Sequence, residues 1–290
     1  MAKSLRPAYQ EYINDSNTLG ILVMEEPKLS RFDGIVLIVV SDSDQPSQVE
    51  HYEIEGRIIA VNVITEGLLM EWIGVSGYDS IIEWIIYGEK VFERDDFIQN
   101  LKEQARDLPQ TKRDLLKTMV FGRLMKSYDE AKGLYESSQY KDANNKMFYS
   151  LYHLARLAVI ENGYYPEMAI WNQVKQIDLE IYKLYEEFIE GNEPIEKRIQ
   201  LMIIAMDHVI SSRAKVAVKH LLDVMEKNTA WSFADLAESQ AIMPYRLHLT
   251  DIVSYLAEKD VIETILEKTS DADMYKRKYI LKQENVNDIC

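Results

Sequence analysis

The chain has 290 residues, of which 47% are hydrophobic, and its formal net charge is −15 at pH 7. This length predicts two or three domains with ample core material, and the negative charge argues against a general nucleic-acid binder and against docking on anionic membranes. The one cysteine, Cys290, cannot form an intrachain disulfide. Because the sequence also shows no signal peptide and no run of about 18 apolar residues, we expect a cytoplasmic protein without a membrane span.

The first hundred residues predict an α/β domain. Residues 35–40 form a continuous apolar run, which is typical of a strand buried on both faces. Two further strands are predicted over residues 48–55 and 57–64, on either side of Gly56, and a helix is predicted to begin at 65–67. Leu108 precedes Pro109, and proline disfavours helix at the residue before it, so the first domain is predicted to span 1–108.

The remaining residues predict a helical bundle followed by a winged helix. Residues 111–226 have a helical period, with breaks near Gly163 and Gly191, and we expect four or five helices within a domain spanning 109–227. Ser232 is the predicted N-cap of a later helix, with Asp235 at the capping-box position. Two strands, at 262–269 and 274–282, complete a predicted winged helix-turn-helix domain over 228–290.

Residues 19–21 and 32–39 resemble the active-site segment of the nucleotidyltransferase superfamily, which includes polymerase β and kanamycin nucleotidyltransferase. In that family a strand leads into Gly-Ser, a second strand carries Asp-x-Asp, and a later strand supplies a third carboxylate. Gly20 and Asp33 match this pattern. Ile21 stands at the serine position, Ile35 at the second aspartate, and Ala60 near the third carboxylate.

Two more segments extend the resemblance. Residues 83–95 are similar to a Gly-Glu-hydrophobic-hydrophobic-acidic-Arg-Asp segment of many nucleotidyltransferases. Residues 109–225 resemble the helical domain that accompanies these enzymes, of the HEPN or substrate-binding type, most specifically at 128–132 and 140–143. The predicted fold class is therefore α+β multidomain, and the greatest likeness is to bacterial nucleotidyltransferase-like proteins of unassigned activity.

The substitutions predict loss of the transfer chemistry. Two Mg²⁺ ions about 4 Å apart must be held by oxygen ligands, and Ile35 and Ala60 supply none, so Asp33 is left as the candidate metal ligand. Catalytic residues stay unknown, no cofactor is expected, and Mg²⁺ is expected only if the chain is active. We therefore predict a degenerate nucleotidyltransferase that serves as a ligand-binding or interaction protein.

Two alternatives stay open. The first is an active transferase acting on a small-molecule hydroxyl, with metal ligands such as Asp42, Asp44 or Glu53. The second is a transcription-linked regulator that acts through its winged helix. Residues 229–290, however, contain seven Lys and Arg against eleven Asp and Glu, and only 276–278 are locally basic, so we do not expect DNA as a partner.

Several other residues are candidates for a binding site. The resemblance implies that a basic helix binds the triphosphate of a nucleotide. The alternative is that the basic side chains of this helix form a solvated face. The nucleotide-binding candidates are Gly20, Asp33, Lys112, Arg113, Lys117 and Arg123. We expect a nucleotide or small-molecule ligand, and a homodimer that buries helices from residues 111–226.

Three further features have an ordinary structural interpretation that we favour. His153 and Arg156 are expected to be satisfied core or rim residues. Arg213 and His220 match the Arg-x₆-His spacing of HEPN ribonucleases, a spacing that often arises by chance. The many tyrosines of the bundle could stack a base, and we expect most of them to belong to the core.

Overall fold

The computed structural model describes residues 5–27, 30–41, 47–73, 79–106, 108–269 and 274–282. The chain divides into two compact units. Unit 1 comprises residues 1–109 with 163–169, and unit 2 comprises 110–162 with 170–290. The predicted winged helix thus groups with the helical bundle, and a short segment from the middle of the chain joins the N-terminal unit. None of the described helices is both long and apolar enough to cross a bilayer.

Unit 1 is built on a mixed five-stranded sheet. Its strands are β1 (Thr18–Glu25), β2 (Gly34–Val40), β3 (Gln48–Ile54), β4 (Arg57–Thr65) and β5 (Glu89–Glu93), in the order β3-β4-β2-β1-β5. Strands β2 and β4 are parallel, whereas the other neighbours are antiparallel. The predicted strand at 35–40 is confirmed, and the burial of its central residues explains the continuous apolar sequence.

Helices cover both faces of this sheet. A 3-10 turn at Arg6–Ala8 and helix α1 (Gln10–Asn14) belong to one face, where Tyr9 packs in a core cluster with Ile21, Val36 and Ile59. The helices α2 (Glu66–Ile73), α3 (Asp79–Tyr87) and α4 (Phe97–Arg106) also pack on the sheet. Helix α4 lies on the face opposite Ile21, because Ile98 sits directly against Gly20.

Unit 2 begins with a bundle that has more helices than expected. The helices are α5 (Gln110–Glu136), α6 (Tyr140–Glu161), α7 (Ile170–Ile177), α8 (Leu179–Glu190), α9 (Ile195–Ala217) and α10 (Lys219–Met225). The prediction of four or five helices was wrong because, besides the turn at 137–139, two further breaks contain neither Gly nor Pro. At the first, Asp178 caps α8 by accepting a hydrogen bond from the Ile181 N–H at 3.2 Å. At the second, Val218 separates α9 from α10.

The winged helix follows the predicted order. It comprises β6 (Trp231–Ser232), α11 (Phe233–Glu238), a 3-10 turn at Met243–His248, α12 (Leu249–Glu258), β7 (Ile262–Lys268) and β8 (Tyr275–Leu281). The predicted capping box is present: Ser232 Oγ accepts from the Asp235 N–H at 3.1 Å, and Asp235 Oδ2 accepts from the Ser232 N–H at 3.2 Å. Asp235 is long enough to replace the usual Glu or Gln.

Helix α12 packs on α5 of the bundle. A Cβ added at Gly122 would lie only 2.7 Å from His248 Cβ and 3.1 Å from Ile252 Cδ1, so the two helices approach closely where the side chain is absent. Next to this contact, the rings of Phe121 and Tyr255 meet edge to face at 5.7 Å. The second helix of a winged helix normally enters the major groove of DNA. Here part of its surface is occupied by the bundle.

We therefore expect weak binding to duplex DNA. The exposed residues of α12 include Thr250, Ser254 and Glu258, and three cations at 276–278 allow only about three phosphate contacts. Fluorescence anisotropy with duplex DNA, repeated across salt concentrations, checks this. Sub-micromolar affinity at physiological salt that is abolished by Lys276→Glu with Arg277→Glu would contradict the expectation.

Candidate functional site

The positions that the resemblance assigns to carboxylates lie side by side in the sheet. Ile35 on β2 is the direct register partner of Ala60 on the parallel strand β4. Their side chains are buried, at 3% and 4% exposure. Two carboxylates at these positions would be close enough to share a metal ion, but a methyl group and a branched hydrocarbon offer no ligand oxygen.

Asp33 takes part in the backbone hydrogen bonding of the same two strands. Its N–H donates to the Ile58 carbonyl, and its Oδ2 accepts from the Ile58 N–H, both at 2.8 Å. Arg57 Nη2 donates to the Asp33 carbonyl at 3.0 Å. The carboxylate therefore extends the β2–β4 ladder by one step ahead of Gly34, which is a structural role.

Gly20 and Asp33 are not brought together. Gly20 pairs with Val39 at one end of the β1–β2 ladder, whereas the Asp33 carbonyl accepts from the Glu26 N–H at the other end. The six residues that separate Gly20 from Glu26 along the strand correspond to about 20 Å. A Cβ added at Gly20 would lie 2.5 Å from the Ile98 side chain, so this glycine makes room for α4.

The described residues do not fit a two-metal site. Among them, no group of three or more His, Cys, Asp or Glu side chains is arranged to hold a metal ion. Glu53, one of the alternative ligands, lies on the exposed edge strand β3. Asp42 and Asp44, the other two, lie outside the described residues.

The basic helix of the prediction is α5 in unit 2, and its cations have different environments. Lys117 is buried, at 3% exposure, and its Nζ lies 2.8 Å from Asp114 Oδ1. Gln110 Nε2 donates to the same oxygen at 2.9 Å. Lys117 is thus a structural ion-pair residue, whereas Lys112, Arg113 and Arg123 are half-buried.

Arg123 belongs to a group of cationic and titratable side chains that we term the cationic cluster, comprising Arg123 on α5, His153 and Arg156 on α6, and His248 just before α12. Burial, reinforced by the charges of Arg123, Arg156 and His248, lowers the pKa of His153 to about 3. Burial and the charge of Arg123 also lower the pKa of His248. The positive field of the cluster therefore reaches both imidazoles.

Arg156 is the most deeply buried cation of the cluster, at 4% exposure. Its Nη1 donates to the Tyr152 hydroxyl at 3.3 Å, and its guanidinium carbon lies 5.7 Å from the centre of the Tyr152 ring. A buried guanidinium costs free energy unless charges or hydrogen bonds compensate. The fold thus maintains positive charge in a protein whose net charge is strongly negative.

Both histidines of the cluster have an unsatisfied ring nitrogen. The Nδ1 atoms of His153 and His248 are buried and have no hydrogen-bond partner within the described parts of the chain. Asp251 Oδ2 lies 3.8 Å from His248 Nδ1, which is too long for a hydrogen bond. We expected His153 to be a satisfied residue, and its Nδ1 is not. Buried polar atoms normally have partners, so these two nitrogens indicate a place for an additional group.

Arg213 and His220 have separate internal contacts. Arg213 Nη1 pairs with Glu161, and its Nη2 donates to Asp178 Oδ2 at 2.7 Å. His220 Nδ1 lies 2.9 Å from the Tyr245 hydroxyl. Because α9 ends at Ala217, the two residues do not share one helix. Their environments give no support to ribonuclease chemistry.

The tyrosines divide between core and surface. Tyr128 is buried and donates to the Ile203 carbonyl at 2.9 Å, as the core interpretation requires. Tyr185 stacks on Trp171 with ring centres 3.7 Å apart, and both are half-buried, while Tyr149 is 54% exposed. The bundle therefore has an aromatic surface as well as an aromatic core.

Comparisons with known proteins agree with this architecture. Residues 1–113 match a family model described as nucleotidyltransferase-like, residues 114–213 match a YgxA-like substrate binding domain, and residues 219–281 match a helix-turn-helix domain. The chain is 33% identical over 288 residues to the Bacillus subtilis (strain 168) protein named "Uncharacterized protein YgxA", and 98% of each chain is covered.

A solved structure is also similar. The crystal structure of a nucleotidyltransferase-like protein from Exiguobacterium sibiricum 255-15 superposes with a TM-score of 0.76 at 28% identity, covering 97% of this chain and 99% of that one. The predicted fold class is thereby confirmed, as are the nucleotidyltransferase-like N-terminal part and the C-terminal helix-turn-helix. The HEPN likeness of the bundle stays a prediction.

Proposed function

The chain belongs to the family of nucleotidyltransferase-like proteins that includes Bacillus subtilis YgxA, and we propose that it binds a ligand and does not transfer a nucleotidyl group. The observation that carries this proposal is the pair Ile35 and Ala60, buried in register where the resemblance requires carboxylates. Asp33 alone cannot replace them, since its Oδ2 already accepts a backbone hydrogen bond. The residues present do not fit a pair of Mg²⁺ ions.

The cationic cluster supports an anionic ligand, and a phosphate-bearing nucleotide is the class we propose. Arg123, His153 and Arg156 lie within the range that matches the substrate-binding model. A phosphate oxygen accepts strong hydrogen bonds from guanidinium groups, and an imidazole Nδ1 that carries its proton can donate to the same oxygen. The half-buried Tyr152 offers an aromatic ring beside Arg156 for stacking a base.

Titration calorimetry with each of the four ribonucleoside triphosphates, with and without Mg²⁺, tests the proposal. We expect at least one to bind and none to release pyrophosphate with Mg²⁺ or Mn²⁺. Arg123→Ala is expected to weaken binding about tenfold or more, because a charge-assisted hydrogen bond contributes about 1.5 to 3 kcal/mol. The matched control is Arg246→Ala, an exposed arginine of the same unit, which should leave the affinity unchanged.

Two outcomes would refute the proposal in different ways. Pyrophosphate release that is lost in Asp33→Asn would show an active transferase, the alternative that depends on ligands such as Glu53. Absence of heat with all four nucleotides, up to millimolar concentration, would remove the nucleotide ligand. Equal affinities for wild type and Arg123→Ala would move the site away from the cationic cluster.

A further inference from the structure

A groove with an apolar floor lies between helices α8 and α9. Its volume is about 470 Å³, which is in the range of binding clefts. The floor is formed by Leu184, Leu201, Met202 and Ala205. Leu201 is 50% exposed, and the nearby Ile204 is 63% exposed. The floor therefore exposes apolar surface mainly through Leu201, with Ile204 beside it, and exposed apolar surface in a groove is typical of an interaction site.

The rim of this groove is acidic. Glu186, Glu187 and Glu190 come from α8, and Glu193 comes from the loop that follows. Among the described residues of the lining, the one cation is Arg198, whose Nη1 donates to the Gly191 carbonyl at 3.0 Å and whose guanidinium lies 5.8 Å from the Phe188 ring centre. Arg198 thus contacts the loop that follows α8 and Phe188 on α8. The groove therefore presents four carboxylates to an incoming group.

A surface of the opposite character lies on the β7–β8 hairpin of the winged helix. Register pairs Leu266 with Arg277 and Lys268 with Tyr275, and alternation places these four side chains on one face. All four are exposed. In the described strands this face includes no carboxylate, since Glu263 and Glu267 point to the other face. It combines two cations with two apolar side chains.

We propose that a second copy of this chain covers the groove, with its β7–β8 hairpin placed on the floor and its Lys268 and Arg277 against the glutamates. The described residues of the hairpin do not line the groove of their own chain, so in this proposal the hairpin comes from the other copy. In the proposed dimer a two-fold axis relates the copies, so that each groove receives the hairpin of the other copy and the two contacts close the assembly. Opposite charges across an interface favour association and fix its register. This inference does not depend on the proposed nucleotide binding.

Charge reversal tests the contact in the full-length chain. One variant carries Glu187→Lys with Glu190→Lys in the groove, and the other carries Lys268→Glu with Arg277→Glu on the hairpin. Light scattering at micromolar concentration should give twice 33.8 kDa for wild type and the monomer mass for either variant alone. An equimolar mixture of the two variants should regain the dimer mass, because both contacts of the mixed dimer again join opposite charges.

Matched controls separate the contact from general charge effects. Glu196→Lys lies on α9 outside the groove lining, and Lys276→Glu lies on the other face of the hairpin. Both should remain dimeric. A monomeric wild type, dimeric reversal variants, or a mixture that stays monomeric would each overturn the proposal. Thermal melts like those of wild type show that the variants are folded, and because they need no nucleotide, this test stays separate from that of the proposed function.

Discussion

Replacing Arg213 with alanine is expected to lower the free energy of unfolding by about 3 kcal/mol, because it leaves two carboxylates without their cation. Glu161 and Asp178 both pair with this guanidinium, and the exposed fractions of the three side chains are only 14% to 22%. Burial already raises the pKa of Glu161, and the charge of Arg213 opposes that effect. Removing the guanidinium takes away the largest opposing charge and leaves only that of Lys117 against the effect of burial.

The sign of the pH dependence follows. A carboxyl whose pKa is higher in the folded than in the unfolded chain binds more protons when folded, so stability increases as the pH falls through this range. The difference in unfolding free energy between wild type and Arg213→Ala should therefore be largest near neutral pH. It should become smaller toward about pH 5, which is above the ordinary range of carboxyl pKa values. Urea denaturation of both proteins at several pH values measures it.

An exposed ion pair is the control for this prediction. Lys219 contacts Asp223 at 2.6 Å near the start of α10, and both side chains are about half exposed. Lys219→Ala should leave stability almost unchanged, because surface pairs contribute little. If Arg213→Ala is no worse than Lys219→Ala, or if its deficit grows as the pH falls, the buried pairs do not have the role described here.

The elements that could be predicted are those whose signal is local. Strand β2 is a run of apolar residues because it is buried on both faces, and the capping box of Ser232 and Asp235 needs only a spacing of three residues. The break at Val218 was missed because no Gly or Pro marks it, although Val218 itself is fully buried. Where no Gly or Pro marks a break, the helical periodicity of the sequence continues across it and the break is not predicted.

The site was predictable in part, for a related reason. The resemblance identified Ile35 and Ala60, and strand register confirms that they are neighbours. Arg123 was a candidate from the resemblance, but nothing in the sequence joined it to His153 and His248, since the three residues come from two helices and a turn that are far apart in sequence. Their proximity depends on the tertiary packing of α12 on α5 at Gly122. The backbone role of Asp33 was equally hidden, because its partner Ile58 lies on another strand.

His153 is expected to make the protein sensitive to acid. Its pKa is lowered from 6.5 to about 3, first by burial and then by the charges of Arg123, Arg156 and His248. Between these values the unfolded chain binds a proton that the folded chain does not, so stability rises with pH there and is lost as the pH falls from 6.5. A shift of this size corresponds to about 5 kcal/mol in all, at about 1.36 kcal/mol per unit.

Replacing His153 with phenylalanine isolates this contribution, since carboxylates elsewhere also titrate in acid. The free energy of unfolding of wild type minus that of His153→Phe should decrease steadily as the pH is lowered from 6.5 to 4. His208→Gln, at an exposed position of α9, should give a flat difference over the same range. A flat difference for His153→Phe would mean that the imidazole gains its proton without unfolding, and that the cluster does not hold it neutral.

A bound phosphate ligand supplies negative charge beside the imidazole of His153. Saturating nucleotide should therefore reduce the loss of unfolding free energy that wild type shows as the pH falls. It should not change the pH dependence of the unfolding free energy of His153→Phe.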